Sequence, residues 1–215
     1  KYVNLPLQHQ SIQSELLQVV EKVLKAGDFI QGEEVRLFEK RFAEYCGTKF
    51  AIGVANGTDA LILTMKAIGI GMGDEVITVP NSFLATASSI ALVCAQPVFV
   101  DVRDDLNINP YLIEEAITPH TKAIIPVHLT GRPSDMQQIL EVAQRNSLWV
   151  IEDAAQAVGA MYHEQRVGSF GIAGCFSLHP LKNLNACGDG GMITMDDDKL
   201  YDKLLKFRNH GLRSR

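Results

Sequence analysis

The sequence predicts an α/β fold, a mainly parallel sheet wrapped by helices, and two observations carry that expectation. Short apolar runs at 50–54, 75–79, 97–100, 123–127 and 148–152 alternate with segments of helical periodicity near 58–68, 82–93, 110–117 and 134–146. At 215 residues and 47% hydrophobic content the chain can bury one sizeable core but not two, so one large domain is expected over 1–215.

Taken in order, residues 11–25 place Ile12, Leu16, Val19, Val20, Val23 and Leu24 at helical spacing, and Gly27 follows as a C-cap. A second helix over about 33–46 sets Val35, Phe38, Phe42 and Tyr45 on one face and closes at Gly47. These two helices are expected to cover the edge of the core that the alternating strands and helices build. Beyond Asp153 the pattern shifts to a hairpin-like stretch at 159–168, then to strands at 173–177 and 191–195 separated by a long polar loop, and a helix at about 198–209 ends the chain. No internal repeat, low-complexity tract or linker interrupts it.

Composition excludes several function classes. The formal charge of −5 is spread along the chain, without the basic face that tracks a nucleic-acid backbone, and the basic stretch 208–215 reads as a solvated tail or cut loop. Cys46, Cys94, Cys175 and Cys187 form no CxxC pair, which argues against a disulfide framework or zinc knuckle and fits a reducing cytoplasm. No secretory leader opens the chain, and the most apolar stretch, 76–100, is broken by Pro80, Asn81, Gln96 and Pro97, so no membrane span is expected. No metal site is expected either: Asp101, Asp104 and Asp105 read as a solvated turn, Asp196, Asp197 and Asp198 as a helix cap, and His120, His128 and His163 lack ligand spacing. Lys1 in place of Met, and an end just past a helix, suggest that both termini are trimmed.

In open α/β sheets ligands gather at the carboxyl ends of strands and at helix N-termini. Three segments reach such places. Residues 54–61 pass from a strand through Gly57 into a helix, whose free amides, with the Thr58 hydroxyl, would cradle a phosphate; an ordinary Thr N-cap fits the same residues. The strand 148–152 delivers Asp153 to its end, where a carboxylate could keep a pyridinium nitrogen protonated or could cap a turn. Ser177 ends a third strand as a phosphate donor, and Lys182, five residues on, can return to the same place as a carbonyl nucleophile or stay a surface lysine.

Six segments in this order resemble the DegT/DnrJ/EryC1/StrS sugar aminotransferases: Gly-Thr-Asp-Ala-Leu at 57–61, Asp-Glu-Val-Ile at 74–77, Phe-Leu-Ala-Thr-Ala at 83–87, the run 126–136, Glu-Asp-Ala-Ala-Gln at 152–156, and 177–191. The likeness covers essentially the whole chain. It implies the aspartate aminotransferase-like fold type I with pyridoxal 5′-phosphate (PLP) as cofactor, and a PLP-binding large domain whose small C-terminal partner domain is absent here. It also implies residue roles. Lys182 would carry the cofactor as a Schiff base, Asp153 would pair with the pyridine nitrogen, Gln156 would lie near the ring hydroxyl and Phe83 would stack on the ring. Gly57, Thr58, Asp59 and Ser177 would hold the phosphate, with Asp28, Phe29, Ile30 and His179 near the sugar. The implied activity is amino transfer from an amino acid, L-glutamate by analogy, to a nucleotide-linked keto-sugar in a cytoplasmic homodimer. Two departures bear on substrate fit: Leu181 stands where small or hydroxylated residues are commoner, and Thr130 replaces a frequent aromatic. The alternatives on the same scaffold are a sugar dehydratase, disfavoured because those relatives replace the lysine with histidine, and a PLP-binding regulator without turnover.

Overall fold

The computed structural model describes residues 3–212, so Arg213, Ser214 and Arg215 of the basic end lie outside the described residues. The apolar runs form β1 (Phe50–Val54), β2 (Glu75–Thr78), β3 (Gln96–Phe99), β4 (Thr121–Ile124) and β5 (Trp149–Asp153). A hairpin of β6 (Met161–Tyr162) and β7 (Gln165–Arg166) follows, then β8 (Ala173–Ser177) and β9 (Gly191–Met195). Seven of these make one sheet in the order β1-β9-β8-β5-β4-β2-β3. The neighbours from β8 to β3 pair in parallel, and β9 alone runs against both β8 and β1. The sheet is mainly parallel, as the alternation of strands and helices requires.

Strand β4 is shorter at its end than the apolar run 123–127. Pro126 has no N–H for the ladder, so the pairing continues only through Ile125 N–H to Ile77 O (2.7 Å), Asp153 N–H to Pro126 O (2.9 Å) and an isolated bridge from Val127 to Asp153.

The helices are α1 (Leu5–Gln10), α2 (Gln13–Ala26), α3 (Glu33–Cys46), α4 (Gly57–Ala67), α5 (Leu84–Leu92), α6 (Pro110–Ile113), α7 (Met136–Arg145) and α8 (Asp198–Arg208). The expected stops hold: Gly27 and Gly47 take left-handed conformations at φ 70° and 75°, which a residue without Cβ adopts freely. The helix expected over 110–117 splits into α6 and a 3₁₀ turn at Glu114–Ala116. Helix α1 has no counterpart in the sequence reading; Asn4 caps it by accepting from the Leu7 amide, with Pro6 in its first turn.

Successive strand residues point to opposite faces, and the core divides accordingly. Ile52, Val76, Ile151, Cys175 and Ile193 pack under α4, α5 and α8, where Leu61, Met65, Ile90, Leu200 and Leu204 are buried. Their neighbours Ile77, Ile124 and Val150 pack under α6 and α7, and Ala51, Phe176 and Met192 under α3. The result is three layers, helices on both faces of the sheet. Asp153 therefore faces the α5 side with Ile151, while Glu152 faces the opposite side with Val150.

Candidate active site

The carboxyl ends of β5 and β8 and the β1–α4 turn converge on one cavity of about 950 Å³. All eight residues expected at the cofactor site line it: Gly57, Thr58, Asp59, Phe83, Asp153, Gln156, Ser177 and Lys182. So does His179. Asp28, Phe29 and Ile30 do not. Their turn between α2 and α3 lines a second cavity together with Tyr201, Leu205 and Arg208 of α8.

The start of α4 is built by Asn56. Its side chain accepts from the Asp59 amide (2.8 Å) and reaches back toward the Asp59 carboxylate (3.4 Å). The cap is thus Asn56, not Thr58. The first intrahelical bond runs from Ala60 N–H to Asn56 O (3.1 Å), so the amides of Gly57 and Thr58 have no acceptor within the helix. A Cβ at Gly57 would lie 2.8 Å from Ser177 Cβ, so only glycine lets the helix start rest against the end of β8. The Ser177 hydroxyl accepts from the His179 amide at 3.3 Å, which leaves its proton for a ligand in the cavity.

Asp153 is buried, 5% exposed. Thr86 Oγ1 lies 2.7 Å from its Oδ2, and the Ala155 amide donates to its Oδ1 at 3.2 Å. Burial pushes this carboxyl above the ordinary 3.8, opposed by the Thr86 and Ala155 hydrogen bonds and by the charge of Lys182. A cation against Asp153 would counter that desolvation.

Lys182 sits on the loop between β8 and β9, and hydrogen bonds inside and outside the loop fix its course. Leu178 N–H donates to Gly190 O (2.7 Å), Ala186 N–H to Leu178 O (2.8 Å) and Lys182 N–H to His179 O (2.8 Å). Asn185 donates to Pro180 O (2.8 Å) and Asn183 to Val158 O (2.8 Å). Lys182 is the one lysine among the described residues that line the cavity. Opposite, Gln156 Oε1 accepts from the amide of Thr130 (2.8 Å), a residue held at φ 55°. Phe83 precedes α5 and is 74% exposed at the cavity, its ring presented rather than packed.

Sequence reading passed over Glu152, the neighbour of Asp153. It is fully buried, and its carboxylate accepts from the amides of Gly168 (2.7 Å), Phe170 (2.8 Å) and Gly171 (3.0 Å) and contacts His128 Nε2 at 3.1 Å. Because His128 Nδ1 accepts from the Ser134 amide (3.0 Å), the imidazole proton sits on Nε2 and is donated to Glu152. His128 is thus a core histidine. The aspartates 196–198 meet expectation: Asp197 caps α8 by accepting from Leu200, while Asp196 and Asp198 hold Lys49.

The sequence model of the DegT/DnrJ/EryC1/StrS aminotransferase family matches residues 10–215. The chain is 49% identical, over 97% of its length, to the UDP-N-acetyl-3-dehydro-alpha-D-glucosamine 3-aminotransferase of Acidithiobacillus ferrooxidans, of which it covers 57%. It is 46% identical, also over 97% of its length, to the pleiotropic regulatory protein of Geobacillus stearothermophilus, of which it covers 56%. The X-ray structure of S. venezuelae DesV in complex with a ketimine intermediate superposes with a TM-score of 0.97 at 40% identity, covering all of this chain and 58% of that one. The chain thus spans a little over half the length of these proteins.

Proposed function

The chain belongs to the DegT/DnrJ/EryC1/StrS aminotransferase family, and from that premise we propose that the protein moves an amino group from an amino acid, L-glutamate in our reading, to a keto-sugar carried on a nucleoside diphosphate. The cofactor is PLP. The observation that carries this reading is the meeting of Lys182, Asp153, Ser177 and the start of α4 in one cavity.

The residues present fit that cofactor. The Gly57 and Thr58 amides at the positive end of α4, with the Ser177 hydroxyl, supply donors for its phosphate. Asp153 supplies a buried carboxylate for the ring nitrogen, Gln156 a side chain for the ring hydroxyl and Phe83 an exposed aromatic face. Lys182 Nζ supplies the amine that holds the cofactor covalently. When bound, PLP withdraws electrons from the carbon bearing the amino group, which lets that carbon lose a proton.

The chain's own residues then do three things. Lys182 Nζ, once displaced by the donor's amine, is the base that takes the proton from the donor carbon and returns one on the cofactor side. Asp153 keeps the ring nitrogen protonated. His179, Leu181 and Thr130 line the cavity's remaining wall and bear on sugar fit. In our reading the active protein is a homodimer.

The test is isotopic: full-length protein, PLP, nitrogen-15 L-glutamate and a nucleotide-linked 3-keto-sugar, read by mass spectrometry. Nitrogen-15 in the sugar is expected. Glutamate that never loses its label in any keto-sugar mixture defeats the reading and favours the second one, a PLP-binding regulator without turnover, to which the name of the Geobacillus relative points.

A further inference from the structure

We propose that Ser82 and Thr86 form a hydroxyl relay that positions Asp153 and keeps it ionised; as a cofactor device this rests on the PLP reading above. Thr86 lies on the buried side of α5, 1% exposed, with Oγ1 2.7 Å from Asp153 Oδ2. Ser82, half-buried and lining the cavity, has Oγ 2.7 Å from the same Thr86 oxygen. The backbone of Thr86 is engaged separately, its amide by Phe83 O (3.1 Å) and its carbonyl by the Ser89 hydroxyl (2.9 Å). Among the described residues the hydroxyl meets Asp153 and Ser82 alone.

A hydroxyl has a single proton, and this fixes the direction of the chain. Ionised Asp153 can only accept, so Thr86 donates to Oδ2 and Ser82 donates to Thr86. Ser82 then turns its lone pairs to the cavity. If Asp153 were protonated at Oδ2, every donor would reverse, and the Ser82 proton would be freed toward the cavity. Two hydrogen arrangements thus share one set of heavy-atom positions, and a cation against Asp153 selects the first. Thr86 thus engages one carboxylate oxygen and the Ala155 amide the other (3.2 Å), and Ser82 and Thr86 line the cavity beside Asp153.

Other ionisable groups share this field. Lys182 favours the charged form of Asp153, while His128, neutral and donating to Glu152, adds no charge. Cys175 faces it from β8 and is itself pushed up, first by burial. Glu152 adjoins it on the opposite sheet face, and Asp59, His179 and Asp189 line the cavity.

The experiment compares wild type with Thr86→Val, which keeps the shape and loses the hydroxyl, Thr86→Ser, which keeps the hydroxyl, and Ser82→Ala. Carbon-13 NMR follows the carboxyl titration of Asp153 in the PLP-free full-length protein, and a separate titration measures PLP affinity. Thr86→Val is expected to raise the proton affinity of Asp153 and to weaken PLP binding, each by about tenfold. Ser82→Ala should act in the same direction by a few-fold, and Thr86→Ser should behave as wild type. An unchanged Asp153 titration in Thr86→Val overturns the relay, as does a Thr86→Ser variant as impaired as Thr86→Val, which would reduce Thr86 to packing. Wild-type protein that binds no PLP overturns the cofactor reading, while the NMR titration still decides the relay.

Discussion

Asp153 stands where folding alone would not place a carboxylate: buried at a strand end, with desolvation holding its pKa above the ordinary 3.8. A carboxyl raised in the folded state favours folding at low pH, and that advantage is lost as pH rises through the folded value. The cofactor-free protein is therefore expected to lose stability from about pH 4 upward through the titration of Asp153. Asp153→Asn should flatten that decline and raise the melting temperature at neutral pH, while weakening PLP binding by roughly 10- to 100-fold through loss of a charged hydrogen bond. Thermal melts across pH with and without PLP check both halves. A second prediction concerns Gly57, where a Cβ would meet Ser177 Cβ at 2.8 Å. Gly57→Ala should cost about 1–3 kcal/mol in denaturant unfolding and loosen PLP binding, because it parts the helix start from the serine. At this scale the sequence placed Asp153 and Ser177 at strand ends and Gly57 at a helix start, whereas Lys182 and Gln156, on loops, came to the site through the resemblance. It did not show Thr86 or Ser82, whose link to Asp153 spans 67 positions at Thr86. The Asn56 cap was readable: Asn with Asp three residues on, before an apolar run, is a helix-start signature.

Among the elements, the turn after β7 is tied to β5 by Glu152, alongside side-chain hydrogen bonds from Thr194 to Gly168 O, from Gln165 to Ser169 O and from Ser169 to Arg166 O. Glu152 gathers the amides of Gly168, Phe170 and Gly171, and the turn then feeds β8, which carries Ser177. Glu152→Ala would leave four donors unpaired in the interior, the three amides and the His128 Nε2–H, so a loss on the order of 3 kcal/mol or more is expected in chemical denaturation. Glu152→Gln, with one acceptor oxygen replaced by a donor, should fall between. An alanine variant as stable as wild type would show that the turn holds itself. The helices and strands themselves were legible because periodicity and glycine stops are local. What escaped was the side-chain partner of each element: β5 reads as apolar residues ending in two acids, and nothing local says that one builds a turn and the other faces a cavity. The turn 28–30 escaped similarly, since the cavity it lines is shared with α8 residues more than 170 positions away.

At the scale of the molecule, the three layers close around the sheet, but α2 buries none of its residues against this chain. Leu17, Val19, Val20 and Leu24 are each more than half exposed, an apolar face larger than scattered surface residues make. The full-length protein is expected to be a homodimer by light scattering; a cofactor-loaded, active monomer would contradict that part of the proposal. The α/β class and its parallel sheet were legible from alternation alone. The assembly was not, because the surfaces that meet a partner are chosen by shape rather than by period. The central claim, that Lys182 holds PLP in the cavity below β5 and β8, has a direct test: borohydride reduction of the PLP-incubated full-length protein, followed by peptide mass mapping. The account predicts a reduced phosphopyridoxyl group on the peptide containing Lys182, and none in Lys182→Ala. Label on another lysine, or no label at all, would contradict it.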